Sequence, residues 1–309
     1  MGLMTNQYQC QTNMIKTLIN KLDHVYGVDN LPPINLPSGD WTPYLQTYEP
    51  QSFNYKDTDE CSQLGGFISP LEIYFNWLKA TNQIPTTFLN FLMTNGYWNG
   101  TSFAFSERYI AILDGTSING NVMCSGYEAF TNVGMIPRSM LEWTISEAEQ
   151  YSTEALMDTA YYNPAFITPA MTALGKEFLS YIQSFNWGWL WNNGTSCPLE
   201  TLAQGRQTSP CALAVPVNSA TWNQVFVPYE GGTATDHCVC HYASNGSAFP
   251  TNFSDQYIPA LKQFAANYFI PVVIIFTVQL KPEPTAVVSA PPPVYQLPSW
   301  LSWFARLFK

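Results

Sequence analysis

Charge is what this sequence has least of. Asp, Glu, Lys and Arg together make up 11% of its 309 residues, against about 25% in ordinary soluble domains. Its surface must be covered largely by Asn, Gln, Ser, Thr and Tyr, a neutral coat that favours self-association. Basic residues are scarcer than acidic ones, 12 against 22, for a net charge of −10. No Lys/Arg cluster occurs, which argues against nucleic-acid binding, because phosphates must be neutralised. Long apolar runs are missing too; the longest, Tyr268 to Val278, is too short to span a bilayer. The opening Met1-Gly2-Leu3-Met4-Thr5-Asn6 has neither the basic nor the apolar region of a signal peptide. No Cys-x-x-Cys is present, and an odd seven cysteines (Cys10, Cys61, Cys124, Cys197, Cys211, Cys238 and Cys240) cannot all pair within one chain. Synthesis in a reducing cytoplasm is the expectation, and the sequons at Asn99, Asn193, Asn245 and Asn252 read as chance.

What is abundant is core-forming material: 46% hydrophobic residues, with 15% aromatic. Residues 13–26 carry Ile15, Leu18, Ile19, Leu22, Val25 and Tyr26 at helical spacing, and Gly27 offers a stop. This helix either packs on its own domain or docks on another subunit. A Pro- and Gly-containing linker follows, so residues 1–35 read as an arm. Residues 36–281 form the body, with helices expected at 61–80, 86–95, 105–114, 119–134, 144–160 and 169–186. Glu147, Glu149 and Glu154 could suggest paired-carboxylate chemistry but read as a solvated helix face. After residue 210 the texture becomes β: Ala212 to Val217, His237 to Tyr242, and Phe269 to Leu280. Helix-rich first and strand-rich second is an α+β pattern. Residues 282–309 add a Pro-rich spacer and a short amphipathic helix carrying Trp300, Trp303, Phe304, Leu307 and Phe308. So large an apolar stripe predicts docking onto a protein partner, in an assembly or homo-oligomer.

Two residues carry candidate chemistry. Cys61 stands at a predicted helix start, in Asp57-Thr58-Asp59-Glu60-Cys61-Ser62. His237 stands at a predicted strand start, in Thr235-Asp236-His237-Cys238-Val239-Cys240. A thiolate is a strong nucleophile, and an imidazole that takes its proton makes it available near neutral pH. A zinc site in His237-Cys238-Val239-Cys240-His241 is disfavoured. Alternation along a strand sends His237, Val239 and His241 one way and Cys238 and Cys240 the other, so one ion could not collect all four ligands.

Several stretches, in order, resemble papain-like cysteine peptidases. Leu36-Pro37-Ser38-Gly39-Asp40-Trp41 resembles the start of the mature enzymes, Phe105-Ser106-Glu107-Arg108-Tyr109 a segment of their helical lobe, and Asp236-His237-Cys238-Val239 the surroundings of their histidine. Closer still is the likeness to divergent members of the kind encoded by bacteriophages and environmental bacteria. It rests on Asp57-Thr58-x-x-Cys61, Asp114-Gly115-Thr116, Gly120-Asn121 and Gly134 to Pro137, and spans roughly residues 36–280. The resemblance implies a two-lobe α+β fold, a helical left lobe with a β-barrel right lobe. It also implies peptide-bond hydrolysis by Cys61 and His237, a peptide or peptidoglycan-peptide substrate, and no cofactor. A third group would orient the imidazole; Asn252 and Asp255 both have suitable spacing, and the choice stays open.

The sequence also departs from the family. Tyr55 stands where the oxyanion Gln is expected, which leaves Gln51 and Asn54 as the nearest donors. Cys61-Ser62-Gln63-Leu64-Gly65-Gly66 replaces Cys-Trp-Ala-Phe, and Asn-Ser-Trp-Gly is absent. Two readings follow: a cysteine peptidase that could be carried in a virion, or a catalytically degenerate papain-fold structural protein of a phage particle. On the first, Cys61 is expected to have a depressed pKa.

Overall fold

The computed structural model describes residues 33–47, 51–53, 56–217, 221, 224, 226–233, 235–243, 248–250 and 263–283. The predicted helix at 13–26 lies outside them, as do Asn54, Asn252, Asp255 and the C-terminal segment with Trp300, Trp303, Phe304, Leu307 and Phe308.

A short hairpin, β1 (Ser52–Phe53) and β2 (Lys56–Asp57), leads into the central helix. That helix is one continuous run in three parts: α1 (Cys61–Gln63), a π-helical stretch Leu64–Ile68, and α2 (Ser69–Ala80). The glycines and Pro70 that look awkward in sequence explain the division. Gly65 and Gly66 lie in the π stretch, and Pro70, which has no N–H to give the preceding turn, leaves the Gly66 carbonyl to accept from the Tyr127 hydroxyl at 2.8 Å. Ser69 through Leu78 are all buried, so the helix is enclosed on every side rather than amphipathic at a surface.

Around it pack α3 (Thr86–Thr94), α4 (Glu107–Leu113), α5 (Ser125–Val133), α6 (Ile145–Ala148), α7 (Glu154–Tyr161) and α8 (Pro169–Ser180). The helix expected from residue 119 begins only at Ser125. Ahead of it, Asn121 donates to Asp114 and Thr116, and Gly115 and Gly120 take positive φ, which makes a polar turn instead. The single helix expected at 144–160 is two, each with its own cap: Thr144 in a capping box with Glu147, and Thr153 accepting from the Leu156 amide.

The largest difference is at 182–186, expected as helix. There the chain is already in β3 (Ile182–Asn192). Phe185, Trp187, Trp189 and Trp191 recur at period two, and aromatic residues suit a pleated surface. A helix unmarked in the sequence reading, α9 (Leu199–Thr208), follows.

Strands β4 (Cys211–Val215), β6 (His237–His241) and β9 (Val272–Leu280) join β3 in a four-stranded antiparallel sheet of order β3-β9-β4-β6. A second sheet, β5-β8-β7, pairs Phe226–Val227, Gln263–Ala265 and Ala248–Pro250. The described strands thus make two sheets in the second half of the chain, and the class is α+β as expected.

The main sheet separates two cores. Ala212, Ala214, Cys238, Cys240, Ile274 and Phe276 face the helices. Leu213, Val215, Val239, Val273 and Ile275 face α9 and the second sheet, with Leu202, Phe264 and Tyr268. Trp41 locks the two halves together. It is fully buried, stacks on Tyr74 with ring centroids 5.9 Å apart, donates from its indole nitrogen to the Arg206 carbonyl at 2.7 Å, and donates its amide to the Tyr242 carbonyl at 2.9 Å.

Candidate active site

The approach to Cys61 is fixed by buried polar groups. Asp59 takes a left-handed φ of 55°, uncommon for a non-glycine residue, and its amide donates to Asp57 Oδ1 at 2.9 Å. Glu60, immediately before Cys61, is fully buried. Its carboxyl accepts from Thr58 Oγ1 at 2.9 Å and from the Tyr161 hydroxyl at 2.7 Å. Burial, with the nearby Glu107 carboxylate, pushes its pKa well above the usual carboxylate range. Tyr162 adds a hydrogen bond to the Thr58 carbonyl.

On the other side of Cys61, the fully buried Gln63 donates to Asp114 Oδ2 at 2.5 Å and to Ser125 Oγ at 2.9 Å, and accepts from Ser62 Oγ at 2.5 Å. Cys61 is therefore clamped between two satisfied networks, itself half-buried while the residues on either side are buried.

His237 comes from the sheet. It opens β6, opposite Val215 of β4, and is 9% exposed. Asp236 ahead of it accepts from the Val217 amide at 2.7 Å, and burial raises its carboxyl to about 6. At the far end of β6, His241 Nε2 is 2.7 Å from Arg206 Nη1, so this imidazole is committed to the guanidinium. Strand and helix meet at Gly65: a Cβ there would stand 2.5 Å from the Cys238 carbonyl oxygen. Only glycine permits that approach, and it brings the start of β6 against the start of α1.

The approach joins the two predicted residues. His237 lies within hydrogen-bonding reach of the Cys61 thiol, placed to stabilise a thiolate. The Cys238 side chain adjoins the same thiol, and this neighbour changes the chemistry. The Cys238 contact first, then burial, raises the Cys61 pKa well above that of an ordinary thiol, and His237 offsets only part of the rise. The expected depression of the Cys61 pKa is thereby overturned.

Three other expectations meet the structure here. Gln51 is buried, but its amide nitrogen donates to Asp57 Oδ1 at 2.8 Å, so this donor is already engaged. Glu154 does not belong to a merely solvated face; its Oε2 accepts from the Asp57 amide at 3.0 Å and ties α7 to the strand before Cys61. Strand β6 alternates as the pattern predicts, with Cys238 and Cys240 in the core on the helix side and Val239 in the other. Among the described residues no three His, Cys, Asp or Glu side chains converge as metal ligands.

Sequence reasoning missed Glu60, Gln63 and Cys238. Glu60 and Gln63 flank the nucleophile, and polar side chains in a predicted buried helix need partners. Cys238 was placed on the face opposite His237. It does face the helix core, and His237 reaches Cys61 from the end of the strand.

No family model matches the chain, and no curated protein matches it. Solved structures do. Xylellain, a cysteine protease from Xylella fastidiosa, is similar at a TM-score of 0.51 with 12% identity, over 85% of this chain and 93% of that one. A cysteine protease of Carica candamarcensis gives 0.46 with 12% identity over 77% and 96%, and a digestive procathepsin L 3 of Tenebrio molitor larval midgut gives 0.49 with 11% over 88% and 79%.

Proposed function

From a chain whose fold is papain-like, we propose a cysteine peptidase in which Cys61 is the nucleophile and His237 the proton acceptor and donor. The observation that carries this reading is the Cys61–His237 contact at the junction of helix and sheet. In the proposed reaction His237 takes the thiol proton as sulfur attacks the scissile carbonyl. It then returns the proton to the leaving amine, and water hydrolyses the thioester. The Cys61 amide, at the first position of the helix, has no partner within the helix and is the oxyanion donor the backbone supplies. Either Asn252 or Asp255 is proposed to orient the imidazole.

A second reading is favoured by the surroundings of Cys61: Cys238 and burial raise its pKa well above that of an ordinary thiol. On that reading the chain is a papain-fold assembly component of a phage particle, with its apolar terminal segments as contact surfaces. Hydrolysis of a peptide library and of peptidoglycan stem peptides, with Cys61→Ala as control, separates the two. Turnover that the control lacks supports the peptidase; none between pH 6 and 10 rejects it.

A further inference from the structure

We propose that Cys61 and Cys238 form a modification site, a thiol pair that closes to a reversible disulfide and so masks the candidate nucleophile. All six described cysteines are free thiols, and the side chains of these two interact where β6 packs against the helix at Gly65 and Gly66. Their environments differ in the way a stepwise oxidation needs. Cys61 is half-buried as a residue, whereas Cys238 is 1% exposed. Cys238 is held against the first helical turn: the position a Cβ would take on Gly66 is 3.5 Å from Cys238 Cβ and 3.7 Å from the Cys61 carbonyl oxygen. A glycine at 66 thus lets the two backbones carry their sulfurs to one place.

With a hydroperoxide as oxidant the steps balance. His237 takes the Cys61 proton, sulfur attacks the peroxide, an S–O bond forms, O–O breaks, and an alcohol or water leaves. The Cys238 sulfur then attacks the Cys61 sulfenic acid. The S–S bond forms, S–O breaks, and the departing hydroxide takes up the Cys238 proton as water. Two thiols lose two electrons and the peroxide gains them. The raised proton affinity of Cys61 slows the first step at neutral pH and speeds it in alkali. Dithiol reductants reverse the bond. This inference does not depend on peptidase activity, because it is read as mass.

The full-length reduced chain is treated with hydrogen peroxide at pH 8.5, alkylated, and mapped by mass spectrometry without reductant. The expected product is the Cys61 peptide joined to the Cys238 peptide, two hydrogens lighter, and restored by dithiothreitol. Cys240→Ser retains the bond, which assigns it to Cys238 within their shared peptide. Cys238→Ser, checked for native circular dichroism, loses it and leaves Cys61 as sulfinic acid. Wild-type mapping decides alone if that variant misfolds. Three wild-type results overturn the proposal: Cys61 recovered as sulfinic acid, Cys61 bonded to another cysteine, or Cys61 unmodified under conditions that oxidise a reference thiol.

Discussion

The two sides of the candidate site are held in opposite ways. Cys61 is flanked by side-chain networks rich in acids of raised pKa: Glu60, together with Asp59 at about 9 and Asp158 at about 8, each raised by burial first and by neighbouring carboxylates second. His237 is held by backbone ladders and by one carboxyl, Asp236, at about 6. The sheet side is therefore fixed mainly by backbone bonds that do not titrate, with Asp236 as its one titrating support, whereas the helix side rests on several groups that do. An acid raised in the folded state contributes its stability below its unfolded pKa, near 4, and loses it as pH rises through the folded value. Between pH 4 and 9 the helix side weakens steadily. The Cys61 thiol, its pKa held well above that of an ordinary thiol, ionises only beyond that window, so the support loosens before the thiol is activated.

The largest expected effect comes from breaking the pair itself. His237→Ala lowers any peptide turnover by about 10²–10⁴-fold, the usual contribution of a general base, and leaves circular dichroism unchanged. Turnover that survives this change places the base elsewhere.

Next is the seam between the two sides. Gly65→Ala puts a methyl group onto the Cys238 carbonyl and destabilises the fold by at least about 1–3 kcal/mol, read as a lower denaturant midpoint. An unchanged midpoint would mean that helix and strand are not in such close register.

A third test sharpens the contrast in titration. Asp158 is 1% exposed, and neither of its carboxylate oxygens has a hydrogen-bond partner. Asp158→Asn stabilises the protein on the order of 1–3 kcal/mol at pH 8, and the gain shrinks towards pH 4, where both forms are neutral. A pH-independent gain would detach the effect from ionisation.

The smallest effect is expected on the sheet side. Asp236→Asn keeps an acceptor for the Val217 amide and shifts stability by under about 1 kcal/mol at pH 7. A change as large as that at Asp158 would erase the distinction between the two sides.

Much of this was legible in the sequence. The α+β order, the central helix from Cys61 and the strand from His237 followed from hydrophobic period, while the pairing of those two residues was implied only by the papain-like resemblance. Strand β3 was lost because Tyr181 to Trp191 is apolar enough to extend a helical pattern, and its period-two aromatics had to compete with the helix before it. Proton affinity at Cys61 was misjudged for a different reason. Its sign depends on which atoms touch the sulfur. A linear sequence offers His237 and Cys238 as neighbours of each other, not as rivals for one thiol. The raised carboxyls were equally invisible, since Asp158 and Asp59 meet only through the packing of α7 against the segment before the helix.

Trp41 gives the molecule a built-in optical reporter. Its indole is shielded from water, lies against Tyr74 of the central helix and is hydrogen-bonded to the last turns of α9, while its amide is bonded just beyond β6. Separation of either half wets the same ring and shifts its emission to the red. Among the chain's ten tryptophans, this one registers the parting of the two halves as a single event, whichever half gives way first.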